Sequence, residues 1–191
     1  ILGGLAVMAV CLAHGAQFLA LKTTGEVHDR ANAIAAPATI GATVLAAAWL
    51  IWGQFAYTTN VLAWIPLVVA ALAIIASAAM SQASLRHEGW SFAASAVAIA
   101  GTVAWVFSSM APAVQKSSIN PAYSLTIDQA SSTTATLTVM TIVTVCLLPI
   151  VLVYVFWSYW MFRARVSAED VETQTGLLLK KVRVGENFLA G

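Results

Sequence analysis

The sequence predicts an all-α integral membrane protein: an antiparallel four-helix bundle with one long, kinked helix at its periphery. Three observations carry this. The chain is 60% hydrophobic and 9% charged over 191 residues, with a mean hydropathy of +0.85, whereas soluble domains carry about 25% charged residues. Its apolar residues gather into five runs of about 20 residues, each long enough to cross a hydrocarbon core of roughly 30 Å as a helix. Its nine basic residues (Lys22, Arg30, Arg86, Lys116, Arg163, Arg165, Lys180, Lys181 and Arg183) fall between or beyond those runs. With five crossings only Lys116 is separated from the rest, and the positive-inside rule makes the richer side cytoplasmic. Residue 1 is therefore expected on the outer side and the C-terminus in the cytoplasm.

The first span is expected over about residues 1–21, ending at Lys22-Thr-Thr-Gly25. A polar cytoplasmic stretch, Glu26 to Asn32, should precede a second span at about 38–57. Pro37 opens that span, since a first-turn proline lacks only an N–H that had no partner. Thr58-Thr59-Asn60 is short enough to force a helical hairpin into the third span, about 62–82. Ser84 to Gly89 then turns the chain into the fourth span, about 90–110, which Pro112 stops. The polar stretch from Ala113 to Thr133 contains the turn signal Asn120-Pro121 and three candidate N-caps, Ser131, Ser132 and Thr133. The fifth span, about 134–162, holds Pro149 in its interior, where proline kinks a helix. Residues 163–191 read as a cytoplasmic tail. Tyr57, Trp64 and Trp105 should mark the outer membrane boundary, and Trp90, Trp157, Tyr159 and Trp160 the inner one. Ala96, Ala100, Ala104 and Ser108 place small residues at four-residue spacing, a candidate helix-contact stripe. Ile1 lies inside an apolar run without an initiator Met or the basic start and cleavage site of a signal peptide. The chain is thus expected to be the interior of a longer polypeptide.

All eight acidic residues lie outside the spans. Carboxylates at membrane depth mark ion and proton pathways, so pumping by buried carboxylates within this segment is disfavoured and a voltage sensor is excluded. The net charge of +1 gives nucleic-acid binding no support. Cys11 and Cys146 fall within spans and suggest apolar packing rather than a disulfide or metal site. His14 is the one titratable group within a span apart from the cysteines, followed by Gly15 and Gln17. An imidazole there could ligate haem iron or pass a proton; the favoured reading is a histidine hydrogen-bonded to a neighbouring helix. A second haem ligand at matching depth is lacking, because His28 and His87 are in loops. Asp128, just before the fifth span, could belong to a polar surface facing a partner or a quinone headgroup. The favoured reading makes it a loop carboxylate capping a turn. No catalytic or metal-binding set is expected, and His14, Gln17 and Asp128 are the weak candidates for cofactor contact.

Two stretches resemble the second subunit of the cytochrome bd-type quinol oxidases. One is His14-Gly-Ala-Gln-Phe-Leu-Ala-Leu-Lys-Thr-Thr-Gly-Glu-Val-His28. The other runs from Ser117-Ser-Ile-Asn-Pro-Ala-Tyr-Ser-Leu-Thr-Ile-Asp-Gln-Ala-Ser-Ser132 through Thr136-Leu-Thr-Val-Met140 and Leu148-Pro-Ile-Val-Leu-Val-Tyr154 to Trp157-Ser-Tyr-Trp160 and Arg163. The resemblance covers residues 1 to 166. It implies the last five of nine membrane helices, with the first four and their polar proton-entry residues lying before residue 1. It further implies a heterodimer in the bacterial plasma membrane. There a haem-bearing subunit I holds two b-type haems and one haem d, oxidises quinol, and reduces oxygen to water while a proton gradient forms. This chain would ligate no haem. A quinone (menaquinone is one candidate), membrane lipids and small single-helix accessory subunits are the other implied partners. The short second-to-third connection and the tail beyond Ser167 depart from the family pattern. Half of a secondary transporter is the competing reading, supported only by His14 and the Pro149 kink.

Overall fold

The computed structural model describes residues 1–58, 60–82, 87–117 and 119–167. Five helices are long and apolar enough to cross a membrane. They are α1 (Leu2–Lys22), α2 (Glu26–Tyr57), α3 (Trp64–Ser81, preceded by a 3₁₀ turn at Val61–Ala63), α4 (Glu88–Met110) and α6 (Thr134–Met161). Between α4 and α6 lie the short antiparallel strands β1 (Ala113–Gln115) and β2 (Leu125–Thr126), and the one-turn helix α5 (Ile127–Ala130). The tail beyond Ser167, and the first half of the turn expected at Ser84 to Gly89, lie outside the described residues.

Helix α1 packs along α2 and α3 along α4; contacts of α2 with α3 and of α1 with α4 close the four into a bundle. The interior is built from small residues. Ala6, Ala13, Ala16 and Ala20 of α1 meet Ala31, Ala35, Ala42 and Ala46 of α2, with Ala70 and Ala98 from the other hairpin. Lipid tails are as apolar as leucine side chains, so close backbone approach and interhelical hydrogen bonds do the associating. Gly101 illustrates the approach: a Cβ there would lie 3.1 Å from the Ala70 backbone nitrogen. Large side chains are turned outward instead, among them Leu12, Val44, Ile51, Ile65 and Leu72, all more than half exposed.

Several expectations change. The second helix starts at Glu26, directly after Gly25 at φ 68°, so Glu26 to Asn32 is helix and Pro37 lies inside α2 instead of opening it. At 32 residues it extends about 48 Å. Its polar first turns are held laterally, by Ala31 and Ala35 in the core and by bonds from His28 and Asn32 described below. Trp105 is no boundary marker: it is 4% exposed, set edge-on to Trp49 at 5.5 Å, and its indole N–H donates to Gln54 Oε1 at 2.7 Å. The buried face of α4 is Ser91, Ser95, Ala98, Gly101, Trp105 and Ser109, while Ala96, Ala100 and Ala104 point outward. The contact stripe is therefore a different one from that expected. Thr133 is the N-cap of α6, accepting from Thr136 N–H.

Helix α6 buries none of its residues and stands beside the bundle, with Pro149 inside it. Its charged end is moored. Lys22 Nζ, at the end of α1, donates to the carbonyls of Phe162 and Arg163 at 3.1 Å each, a cation set against the C-cap and the residue after it, at the negative end of the α6 dipole. Val166 then exchanges backbone bonds with the α1–α2 turn, its N–H to Lys22 O at 2.8 Å and its carbonyl from Thr24 N–H at 3.1 Å. At the other end Lys116 Nζ performs the same service for α2 and α4, donating to Tyr57 O at 2.7 Å and Ser109 O at 3.0 Å. Replacing Lys22 with Met should widen the distance distribution between spin labels on α1 and α6. An unchanged distribution would leave the mooring to Val166 alone.

Candidate functional site

The polar interior of the bundle is concentrated near its charged end, where α1, α3 and α4 each contribute small polar residues to one level. Ser77 Oγ donates to the Ser91 carbonyl and Ser91 Oγ to the Ser77 carbonyl, both at 3.0 Å. This reciprocal pair staples α3 to α4. Gln17 of α1 inserts its amide between them, Nε2 donating to Ser77 Oγ at 2.8 Å and Ser91 Oγ at 2.7 Å. One turn earlier, His14 Nδ1 lies 2.7 Å from Ser95 Oγ. Ser95 Oγ also donates to the Phe92 carbonyl at 2.8 Å. The His14 ring stacks on Phe92 at 4.4 Å. His14 is thus a partly buried histidine bonded to the neighbouring helix, the reading favoured above.

At the charged end itself, Glu88 opens α4, where a carboxylate complements the helix dipole. Asn32 Nδ2 donates to its Oε1 at 3.2 Å, and His28 Nε2 lies 3.2 Å from the same oxygen. Arg165 donates to Oε2 at 2.9 Å. His28 Nδ1 donates to the Ala20 carbonyl at 2.8 Å. One carboxylate therefore joins α4 to α2 and to the segment following α6.

Of the three residues singled out from the sequence, His14 and Gln17 share one face of α1 and one polar cluster. Asp128 is far from both, in α5 beyond the opposite end of α4. There Thr126 accepts from Gln129 N–H and the Gln129 side chain accepts from Thr126 N–H. The capping expected of Asp128 is thus performed by this pair, and Asp128 is an exposed first-turn carboxylate. Sequence reasoning missed Ser77, Ser91, Ser95, Asn32 and Glu88. Ser91 and Ser95, one turn apart on one face of α4, were the available signal.

The cavities around Ser95 and Gln17, about 10 Å³ each, could not enclose a porphyrin. No group of three or more His, Cys, Asp or Glu side chains is placed to hold a metal among the described residues. A larger cavity of about 170 Å³, lined by Ala6, Val10, Ala46, Trp49, Ile74 and Thr102 among others, is almost wholly apolar. Thr102 donates to its own helix at Ala98, so that cavity lacks the convergent polar groups that hold a quinone headgroup.

The comparisons agree on one family. A family model described as cytochrome bd terminal oxidase subunit II matches residues 1–162. The chain is similar to the cytochrome bd ubiquinol oxidase subunit 2 of Bacillus subtilis (strain 168), 34% identical over 177 residues covering 91% of this chain and 52% of that protein. It is also similar to the cytochrome bd-I ubiquinol oxidase subunit 2 of Escherichia coli (strain K12), 30% identical over 211 residues covering 92% of this chain and 54% of that protein. The chain spans about half the length of these relatives.

Proposed function

Because the chain belongs to the cytochrome bd terminal oxidase subunit II family, we propose that it serves a quinol:oxygen oxidoreductase complex as its non-haem-ligating membrane subunit. The match over residues 1–162, which contain all five spans, carries this reading. The haems, two of b type and one haem d, belong to a partner subunit I, which oxidises quinol (menaquinone or another) and reduces oxygen to water as a proton gradient forms. This chain contributes no reacting group and supports that partner within the bacterial membrane, with residue 1 outside and the C-terminal end in the cytoplasm. The orientation is supported by the gathering of Lys22, Arg30, Arg163 and Arg165 at one end. Helix α6, with none of its residues buried, offers membrane-depth surface for the partner. Half of a secondary transporter is the weaker reading, because the family match does not favour it.

The test is the visible spectrum of the complex purified through a tag on this chain. Haem d absorbs in the red, beyond the b-type bands; a preparation without haem would sink the proposal. His14→Gln is expected to leave the haem content unchanged, since Gln can still hydrogen-bond to Ser95. Loss of a haem on that substitution would make His14 a ligand.

A further inference from the structure

The Ser77 and Ser91 hydroxyls each donate to a backbone carbonyl. Toward Gln17 they accept, and both amide hydrogens are used, one on each serine. Oε1 is turned away from the serine pair. Gln17 is 3% exposed, and its Oε1 finds no hydrogen-bond partner among the described residues. A buried amide oxygen left so costs about 1–3 kcal/mol, which a single donor would recover.

The space for that donor is one of the two small cavities. It measures about 10 Å³ and is lined by Gln17, Asn32, Met80, Ser81, Glu88 and Ser91, with Ala20 and Ala35 completing it. That is about one water-sized probe sphere, and a buried water needs two to four polar partners. Glu88 supplies a second acceptor. Its Oε1 takes a bond from Asn32, with His28 Nε2 3.2 Å away, and its Oε2 a bond from Arg165, and carboxylate oxygens hold about four lone-pair sites in all.

We propose that this cavity is a binding site for one structural water molecule, which donates one hydrogen to Gln17 Oε1 and the other to the Glu88 carboxylate. The water makes the ionic cluster at the charged end and the Gln17–Ser77–Ser91 cluster one continuous hydrogen-bonded unit spanning all four helices of the bundle. It also explains why a glutamine stands at a position whose two serine partners are already bonded without it.

The experiment is a density map of the full-length protein in its native membrane assembly, at a resolution that shows ordered waters. A peak within hydrogen-bond distance of both Gln17 Oε1 and Glu88 is expected. No peak beside well-resolved Gln17 and Glu88 side chains overturns the proposal, and so does a peak ringed by oxygens at metal-ligand distances, which would be a cation. Radiolytic hydroxyl labelling gives a second readout, since Met80 lines the cavity. Met80 should be oxidised several-fold more in the native protein than in Gln17→Leu, where a near-isosteric apolar side chain removes the acceptor. Equal Met80 labelling in the two proteins would also overturn it.

Discussion

Trp105→Ala is expected to destabilise the bundle by about 3 kcal/mol, the low end of the cost of emptying an aromatic core site. The low end applies because lipid removes most of the transfer gain, leaving lost packing and an unfilled volume. Trp105 earns this effect by position. With Leu50, Ala63, Leu67 and Ala70 it forms one buried cluster of the core. Its ring lies so close to Gly53 that a Cβ there would meet Trp105 Cη2 at 2.6 Å. Two milder substitutions separate the contributions. Trp105→Phe keeps most of the volume but leaves Gln54 Oε1 unpaired, a loss of about 1–2 kcal/mol. Gly53→Ala keeps both groups but forces the indole, pinned by Gln54 and Trp49, to move. Unfolding midpoints of the purified assembly should fall in all three, most in Trp105→Ala. A Trp105→Ala protein as stable as the native one would return Trp105 to the membrane boundary, where its sequence position first placed it.

That misplacement shows what the sequence could carry. The five crossings were legible because twenty-residue apolar runs have no other use, and Thr133 and Asn120 take the local roles their chemistry suggests. The contact face of α4 was not. Ala96, Ala100 and Ala104 repeat strictly every four residues, and such a line drifts around a helix of 3.6 residues per turn. A seam that stays on a neighbour must average close to 3.6, mixing steps of three and four. Ser91, Ser95, Ala98, Trp105 and Ser109 do so, as do Ala31, Ala35, Thr39, Ala42, Ala46, Leu50 and Gly53 on α2. Read for that period with small residues counted as core, the bundle seam is visible in the sequence. The start of α2 is less so. Glu26 to Asn32 is polar and Pro37 is a helix-opening signal, and what makes the stretch helical is mostly distant: Glu88, 56 residues beyond Asn32. The polar cluster has the same character. Gln17 and His14 stand out singly, but their partners lie 60 to 81 residues away.

Glu88→Ala tests that long-range support directly, and a loss of about 2–3 kcal/mol is expected. Glu88 is the only acceptor shared by α2 and the segment after α6 among the described residues. Its side chain is 18% exposed, and His28 beside it 19%, so removing it leaves Asn32 and His28 facing a gap that water fills only in part. The Arg165 contact adds little, because at 48% exposure such a pair contributes at most about 1 kcal/mol. The damage should be local before it is global. Amide exchange in the first turns of α2, residues 26–36, should rise well above that of residues 38–57, since the former lose their lateral anchor and the latter keep their seam of alanines. Glu88→Gln retains the length and one carbonyl acceptor for Asn32, so it should protect the same amides nearly as well as the native residue. If Glu88→Ala leaves exchange at 26–36 unchanged, the polar start of α2 is helical on its own account, and the carboxylate is a surface charge without structural consequence.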